Sequence, residues 1–210
     1  MWYNKNIILN LIVIKDIHML DKKYIGELRK SLHTYAGVRR EVIKQSGDAL
    51  HYSKRAIFAL HRENEKEAIE KLDEAEKGLQ HIIKTYKKLP AIWQEGSFKA
   101  ALEEYVEAEL FFQFIKGKKL GKIKKIDIPH VVYLAGLADV PGELYRYAIK
   151  AATKRDREMV NSCTVLAQDI IGELIECNLT SYLRTKSDQA KRSVQKLEIV
   201  QYELSLREDV

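Results

Sequence analysis

Apolar residues recur every three to four positions along most of the chain, the spacing of a single buried stripe on an α-helix. The first long segment carries such a stripe at Ile25, Leu28, Leu32, Tyr35 and Val38. The full pattern predicts helices over residues 21–62, 63–89, 92–116, 129–153, 156–179 and 187–207. No alternating strand pattern competes with it. The sequence therefore predicts an all-α fold, a bundle of six or seven helices.

Two local features qualify this helical pattern. The segment "SGD" at 46–48 is expected to bend the first helix, and "ADVPGELYRYA" places Pro141 and Gly142 inside the fourth. In a helix interior, proline costs about 3 kcal/mol and glycine about 1 kcal/mol relative to alanine. We therefore expect a break in the fourth helix, of the kind often found at functional sites.

The domain organisation follows from the same pattern. Residues 1–20 are predicted to be an N-terminal extension, with Met19 as an alternative start, and residues 21–210 to form one helical domain. The apolar run "IILNLIVI" in the extension is far shorter than the roughly 20 residues of a membrane span. We therefore expect no membrane partner.

Composition narrows the class of protein further. The chain has only 10 glycines and 3 prolines, which suits a helical protein, and its net charge of +6 permits a polyanionic partner without requiring one. Cys163 and Cys177 are fourteen residues apart, which on one helix is about 21 Å, too far for a disulfide. They are predicted to be free thiols, which indicates a cytoplasmic location.

Two carboxylates lie on a core stripe of the third predicted helix, "LEEYVEAELFFQFI". The spacing places Glu104 and Glu107 on the same face as Phe111 and Phe114, whereas Glu109 is expected to face solvent. Carboxylates are rarely buried unless a cation or metal ion compensates them. A cationic partner is therefore expected at Glu104 and Glu107.

The fourth predicted helix supplies a second carboxylate pair, Asp139 and Glu143, one turn apart. Gly136 lies one turn before them, where the missing side chain permits close approach of a backbone, a metal ion or a phosphate. Four carboxylates on two helices suit a hard cation such as Mg²⁺ or Mn²⁺.

A salt-bridged face without metal remains open on spacing alone, because Glu143 and Arg146 form an i,i+3 pair. A di-iron bundle is not predicted. Such a centre requires Glu-x-x-His motifs, and the third helix offers Glu-x-x-Glu.

At these residues the sequence resembles the translin family. The motifs are "LEEYVEAELFFQFIK", "YLAGLADVPGELYRYAI", "SGDALHYSKRAIFALHR" and "KRSVQKLEIVQYELSLR", and the resemblance covers about residues 22–208. The carboxylate-bearing motifs are most similar to the catalytic Trax branch. The compact Lys/Glu/Ile-rich chain resembles an archaeal homologue.

The resemblance implies a closed homo-oligomer of six or eight chains that encloses nucleic acid. It also implies an endoribonuclease that depends on Mg²⁺ or Mn²⁺ and acts on single-stranded RNA. By motif correspondence, Glu104, Glu107 and Asp139 are the expected catalytic residues, and Glu143 joins them as a metal ligand.

The chain departs from the family pattern at two positions: Pro141 replaces a usual hydroxyl residue, and Glu103 replaces a glutamine. The alternative function is that of a non-catalytic single-stranded RNA- or DNA-binding protein of translin type. A helical scaffold that works through its surface is the third hypothesis.

Basic residues near the carboxylates are the expected contacts for RNA phosphates, although all except Lys99 and Arg146 also suit a solvated helix face. They are Arg39, Arg40, Lys44, Lys54, Arg55, Arg62, Lys99 and Arg146. The lysine-rich segment 116–129 is expected to be an exposed loop. No aromatic platform for base stacking is evident from the sequence, so RNA binding is expected to depend weakly on base sequence.

Overall fold

The computed structural model describes residues 20–206, and within them every regular element is helical. None of these helices is long and apolar enough to cross a membrane. The prediction of an all-α fold is confirmed. The elements are α1 (Lys22–His61), α2 (Glu65–Thr85), a short 3₁₀ helix (Pro90–Gln94), α3 (Gly96–Ile115), α4 (His130–Thr153), α5 (Arg157–Glu176) and α6 (Ser181–Ser205).

The chain divides into two compact units, one ending at Arg40 and the other beginning at Glu41, and α1 runs through both. In the first unit the predicted stripe is largely exposed at Leu28 and Leu32. The predicted extension, apart from Leu20, and the alternative start at Met19 lie outside the described residues. The single domain over 21–210 stays a prediction.

In the second unit α4 packs against α3, α5 and α6, and α3 also packs against α2. The core between these helices contains the fully buried side chains of Phe98, Tyr105, Phe111, Leu144 and Leu174. Burial of these large apolar groups supplies most of the driving force for the helical packing.

The predicted break in the fourth helix does not occur, and the bend expected at "SGD" stays a prediction. α1 continues through the "SGD" segment, and α4 continues through Pro141. Pro141 has no N–H to donate to the carbonyl oxygen of Leu137, so one backbone hydrogen bond is lost. Three neighbouring helices hold α4 on both sides of that position, and this tertiary packing outweighs the local cost. The predicted break in the fourth helix was therefore wrong.

Gly136 brings α3 and α4 into close contact. A Cβ atom at this position would lie 2.7 Å from the carbonyl oxygen of Glu103 and 2.7 Å from Cβ of Val106. Of the three partners that the sequence allowed, the structure therefore assigns a backbone to Gly136. This contact sets the distance between the two helices that carry the four carboxylates.

Gly136→Ala is expected to lower the free energy of unfolding by about 1–3 kcal/mol, because the added methyl group overpacks the α3–α4 contact. Gly142→Ala on the same helix is the control, since its Cβ would have Ser193 Oγ at 4.0 Å as nearest neighbour. That variant should be unchanged or up to about 1 kcal/mol more stable, because alanine favours helix. Urea denaturation measures both, and equal stabilities for the two variants would contradict the assignment.

Both cysteines are free thiols, as predicted. Cys163 is buried on α5, and burial raises the pKa of its thiol to about 12, whereas Cys177 is exposed at the end of that helix. The cytoplasmic location inferred from them stays a prediction.

Candidate metal centre

A cavity of about 370 Å³ in the second unit is walled by α1, α3 and α4 and collects both acidic and basic side chains. Cavities of this size are large enough to admit a small ligand. The lining residues are Lys54, Ile57, Phe58, Glu104, Glu107, Glu143 and Arg146.

Glu107 is the most deeply buried carboxylate of the cavity, with only 8% of its surface exposed. Burial raises the pKa of Glu107 well above its ordinary value, and the neighbouring charges of Asp139, Glu104 and Glu143 raise it further. Among the described residues no hydrogen bond or ion pair reaches it. If Glu107 is ionised, its charge therefore requires a cation, and the described residues place none in contact with it.

Glu104 lies one turn before Glu107 on the same face of α3, in agreement with the predicted stripe. Its carboxylate is mostly buried, and Nζ of Lys54 lies 3.9 Å away. Burial raises the pKa of Glu104, and Lys54 offsets only part of that effect.

Asp139 contacts a lysine that the sequence analysis did not identify. Nζ of Lys186, on α6, donates to Oδ2 of Asp139 and lies 3.7 Å from Oε2 of Glu103. Burial alone would lower the pKa of Lys186, but its hydrogen bond to Asp139 raises the pKa above the ordinary value. The hydroxyl of Tyr182 donates to Oε2 of Glu103 at 2.7 Å, which completes a polar cradle for the ammonium group.

Glu143 is paired with two basic groups. His61 Nε2 at the end of α1 forms a hydrogen bond to its Oε2, and Nη1 of Arg146 donates to both carboxylate oxygens at 3.0 Å. Burial alone would raise the pKa of Glu143, but these two partners hold it below the ordinary value. The ring of His61 packs against Phe111, with centroids 5.0 Å apart, so its position is fixed by the core.

The four carboxylates supply the hard oxygen donors that Mg²⁺ and Mn²⁺ prefer. In residues 20–206, however, no three acidic, histidine or cysteine side chains are arranged so that they could hold a metal ion as they stand. Asp139 is instead turned to Lys186, and Glu143 to His61 and Arg146. The donor chemistry fits a divalent cation, and the metal site stays a prediction.

Glu109 does not face solvent, so that prediction was wrong. It lies on the other side of α3, partly buried, where the hydroxyl of Tyr105 donates to its Oε1 at 3.2 Å. Burial raises the pKa of Glu109. α2 packs against this face of α3 and covers it, together with Lys125 of the lysine-rich loop, whose Nζ lies 2.7 Å from Glu76.

Two of the predicted RNA-contacting residues line the cavity, namely Lys54 and Arg146. Arg55 of α1 and Arg62, directly after the last residue of α1, share one acceptor, Glu67, at 3.1 and 2.9 Å.

The other four are not brought to the cavity lining. Lys44 is exposed on α1, and Nζ of Lys99 donates to Oε1 of Gln94 at 3.1 Å. Arg39 and Arg40 are exposed residues of the first unit.

Three residues of the site were missed from the sequence: His61, Lys186 and Phe58. His61 follows Ile57 by four positions on the stripe of α1 that includes buried residues, which is a usable signal. Lys186 was missed because α6 begins at Ser181, six residues before the predicted start. Phe58 is 54% exposed in the cavity lining, where no aromatic residue was expected.

Comparison with solved structures supports this architecture over most of the chain. A complex of AfC3PO with duplex RNA matches with 25% identity and a TM-score of 0.81, covering 88% of this chain and 98% of that one. AfC3PO alone gives 25% identity, a TM-score of 0.80 and the same coverage, 88% and 98%. Apo-NeC3PO gives 23% identity and a TM-score of 0.77, covering 86% and 96%.

No curated protein gives a significant sequence match. The model of the translin family, in contrast, matches residues 37–208, which include Glu104, Glu107, Asp139 and Glu143. With that match and the all-α architecture of the described residues, the chain belongs to the translin family.

Proposed function

We propose that this chain is an endoribonuclease of the Trax branch that depends on Mg²⁺ or Mn²⁺ and cleaves single-stranded RNA. The observation that carries the proposal is Glu107, a buried carboxylate without a hydrogen-bond or ion-pair partner among the described residues, whose pKa is raised by the charges of Asp139, Glu104 and Glu143. A bound divalent cation would relieve this repulsion, and it would activate a water molecule and stabilise charge on the phosphate.

Each group of the cavity then has a defined task. Glu104, Glu107 and Asp139 would hold the cation, and Glu143 would complete the donor set. His61 and Arg146 keep Glu143 ionised and fixed in orientation. Lys186 does the same for one oxygen of Asp139, leaving Oδ1 free of this contact. Lys54 and Arg146, at the cavity lining, attract the RNA phosphate by charge.

The RNA substrate is supported by the family and by the AfC3PO complex, which contains duplex RNA. The single-stranded preference rests on the family resemblance. The cavity favours neither form by itself, so both belong in the experiment.

The proposed assembly is a closed homo-oligomer of six or eight chains. Its support is the apolar stripe of the first unit, where Tyr24, Leu28 and Leu32 are 56%, 47% and 66% exposed. A stripe of this kind is expected to be covered by another copy of the chain in solution.

The proposal is tested with purified protein whose mass is first measured by light scattering. We expect six or eight times the chain mass of 24.3 kDa. Labelled single-stranded and duplex RNA are then incubated with Mg²⁺, with Mn²⁺ or with a chelator. Cleavage of the single-stranded RNA should require the metal. Cleavage that persists in chelator would contradict the metal mechanism, and a stable monomer would contradict the assembly.

A second candidate is a translin-type protein that binds RNA or DNA without cleaving it. Its support is the charge balance around the cavity, where Lys186 already compensates Asp139 and Arg146 compensates Glu143 without a metal ion. Tight RNA binding with no cleavage under any metal condition would favour this candidate.

A further inference from the structure

Phe58 is the aromatic residue in the lining of the carboxylate cavity, and 54% of its surface is exposed. Its neighbours Ile57, Ala59 and Leu60 are buried in the core, so Phe58 is the side chain that α1 turns outward at this point. Its ring therefore offers apolar surface beside a cavity whose other groups are mostly charged.

The Phe58 ring is held in place from one side. The guanidinium of Arg62, which directly follows the last residue of α1, lies 4.7 Å from the ring centroid, the geometry of a cation–π contact. Oε2 of Glu67 accepts a hydrogen bond from Arg62 at 2.9 Å, and Oε1 of Glu67 accepts one from Arg55 at 3.1 Å. The ring and the guanidinium thus form a platform that is already ordered. A ligand that stacks on this platform therefore loses less binding free energy to the ordering of side chains.

The position of this platform indicates which part of a ligand it takes. The carboxylates and Lys54 and Arg146 line the same cavity, and they suit a phosphodiester with its cation. The ring of Phe58 has no hydrogen-bonding group, so it suits a flat and weakly polar group attached to that phosphodiester. In RNA this group is the nucleobase.

We propose that Phe58, braced by Arg62, is a stacking subsite for the nucleobase of a nucleotide next to the cleaved phosphodiester. The position of the subsite relative to cleavage rests on the proposed function, whereas stacking itself requires only that the chain binds RNA. Every base has a stackable face, and the subsite has no hydrogen-bonding group to distinguish one base from another. It therefore favours a base over an abasic position and a purine over a pyrimidine.

The test uses short single-stranded RNAs that carry 2-aminopurine at one position at a time, in chelator and at fixed salt, so that cleavage does not interfere. Binding to the wild-type protein should quench 2-aminopurine at a defined position, because stacking quenches this base. Phe58→Leu should abolish the quench and weaken binding roughly 5-fold or more, the usual loss for one stacked base. Phe58→Trp should retain both.

Tyr202→Leu is the matched control, since Tyr202 is an aromatic residue, 63% exposed on α6, that does not line the cavity. This variant should bind and quench as the wild type does. An RNA with an abasic residue at the quenched position provides a double-mutant cycle. The abasic RNA should bind the wild-type protein as weakly as intact RNA binds Phe58→Leu. Its affinity for Phe58→Leu should be no lower than that of intact RNA.

The outcomes separate this inference from the proposed function. If Phe58→Leu binds and quenches as the wild type does, the stacking subsite is wrong even when cleavage is confirmed. If the quench depends on Phe58 but no metal supports cleavage, the subsite stands and the nuclease does not. If the wild-type protein binds no RNA, both are wrong.

Discussion

Glu107→Gln is expected to reduce RNA cleavage by more than the roughly 10- to 100-fold that is typical of residues acting only behind a metal ligand. Glutamine keeps the size and the burial of the side chain but removes the negative charge on which a hard cation depends. Glu104→Gln and Asp139→Asn are expected to have the same effect. The measurement is the initial rate of cleavage of labelled single-stranded RNA at saturating Mg²⁺, with circular dichroism and light scattering to verify folding and assembly.

Glu109→Gln is the matched control for these variants. Glu109 lies on the same helix, is partly buried, and has a pKa raised by burial, but it belongs to the opposite face of α3. The amide oxygen of glutamine still accepts the hydrogen bond from Tyr105, so this variant should fold and cleave normally. If the three cavity variants fold, assemble and cleave at the rate of Glu109→Gln, the metal-dependent mechanism is wrong and the binding protein becomes the better explanation.

The helical architecture and the carboxylate cluster were predictable from the sequence because both depend on local periodicity. Glu104 and Glu107 continue the stripe that carries Phe111, and Asp139 and Glu143 are one turn apart on α4. A stripe of this kind defines which side chains face a neighbouring helix. The structure brings three of these carboxylates to one cavity and Asp139 close enough to raise the pKa of Glu107.

The partners of the carboxylates were not predictable in the same way, because they come from other helices. Lys186 reaches Asp139 from α6, and His61 reaches Glu143 from the end of α1. Tertiary packing decides which helices meet, and the spacing of residues along one helix gives no information about it. For Lys186 the late predicted start of α6 added a second error, since it left this lysine in a loop.

The errors at Pro141 and Glu109 have the same origin. Helix propensity and helical-face arguments treat a helix as if one side were buried and the other solvated. α4 contacts three helices, so packing holds it in helical conformation through Pro141. α3 is covered by α4 on one side and by α2 on the other, so Glu109, on the face opposite Glu104 and Glu107, is also partly buried. A second buried face therefore explains both corrections.

Without metal, the cavity is expected to cost the folded protein stability, so that Glu107→Gln unfolds at no lower temperature than the wild type. Burial and neighbouring carboxylates hold the pKa of folded Glu107 well above the ordinary 4.5. Between these two values the folded protein binds more protons than the unfolded chain, so the free energy of unfolding falls as pH rises through this window. The free energy of unfolding of Glu107→Gln should therefore exceed that of the wild type by a margin that grows from about pH 4.5 upward.

Added Mn²⁺ should reverse this order. An ion that binds only the folded protein stabilises it by about 2.7 kcal/mol at a concentration 100 times its dissociation constant. We expect this gain for the wild type and for Glu109→Gln, but not for Glu107→Gln, because the buried charge that holds the ion is missing. Urea denaturation at pH 7, with chelator and with Mn²⁺, measures both effects. A wild-type protein that gains no stability from Mn²⁺, or a Glu107→Gln variant that gains as much, would contradict a metal site at Glu107. The repulsion among the four carboxylates would then have to be relieved by protonation of Glu107, with Lys186 and Arg146 compensating charges that remain.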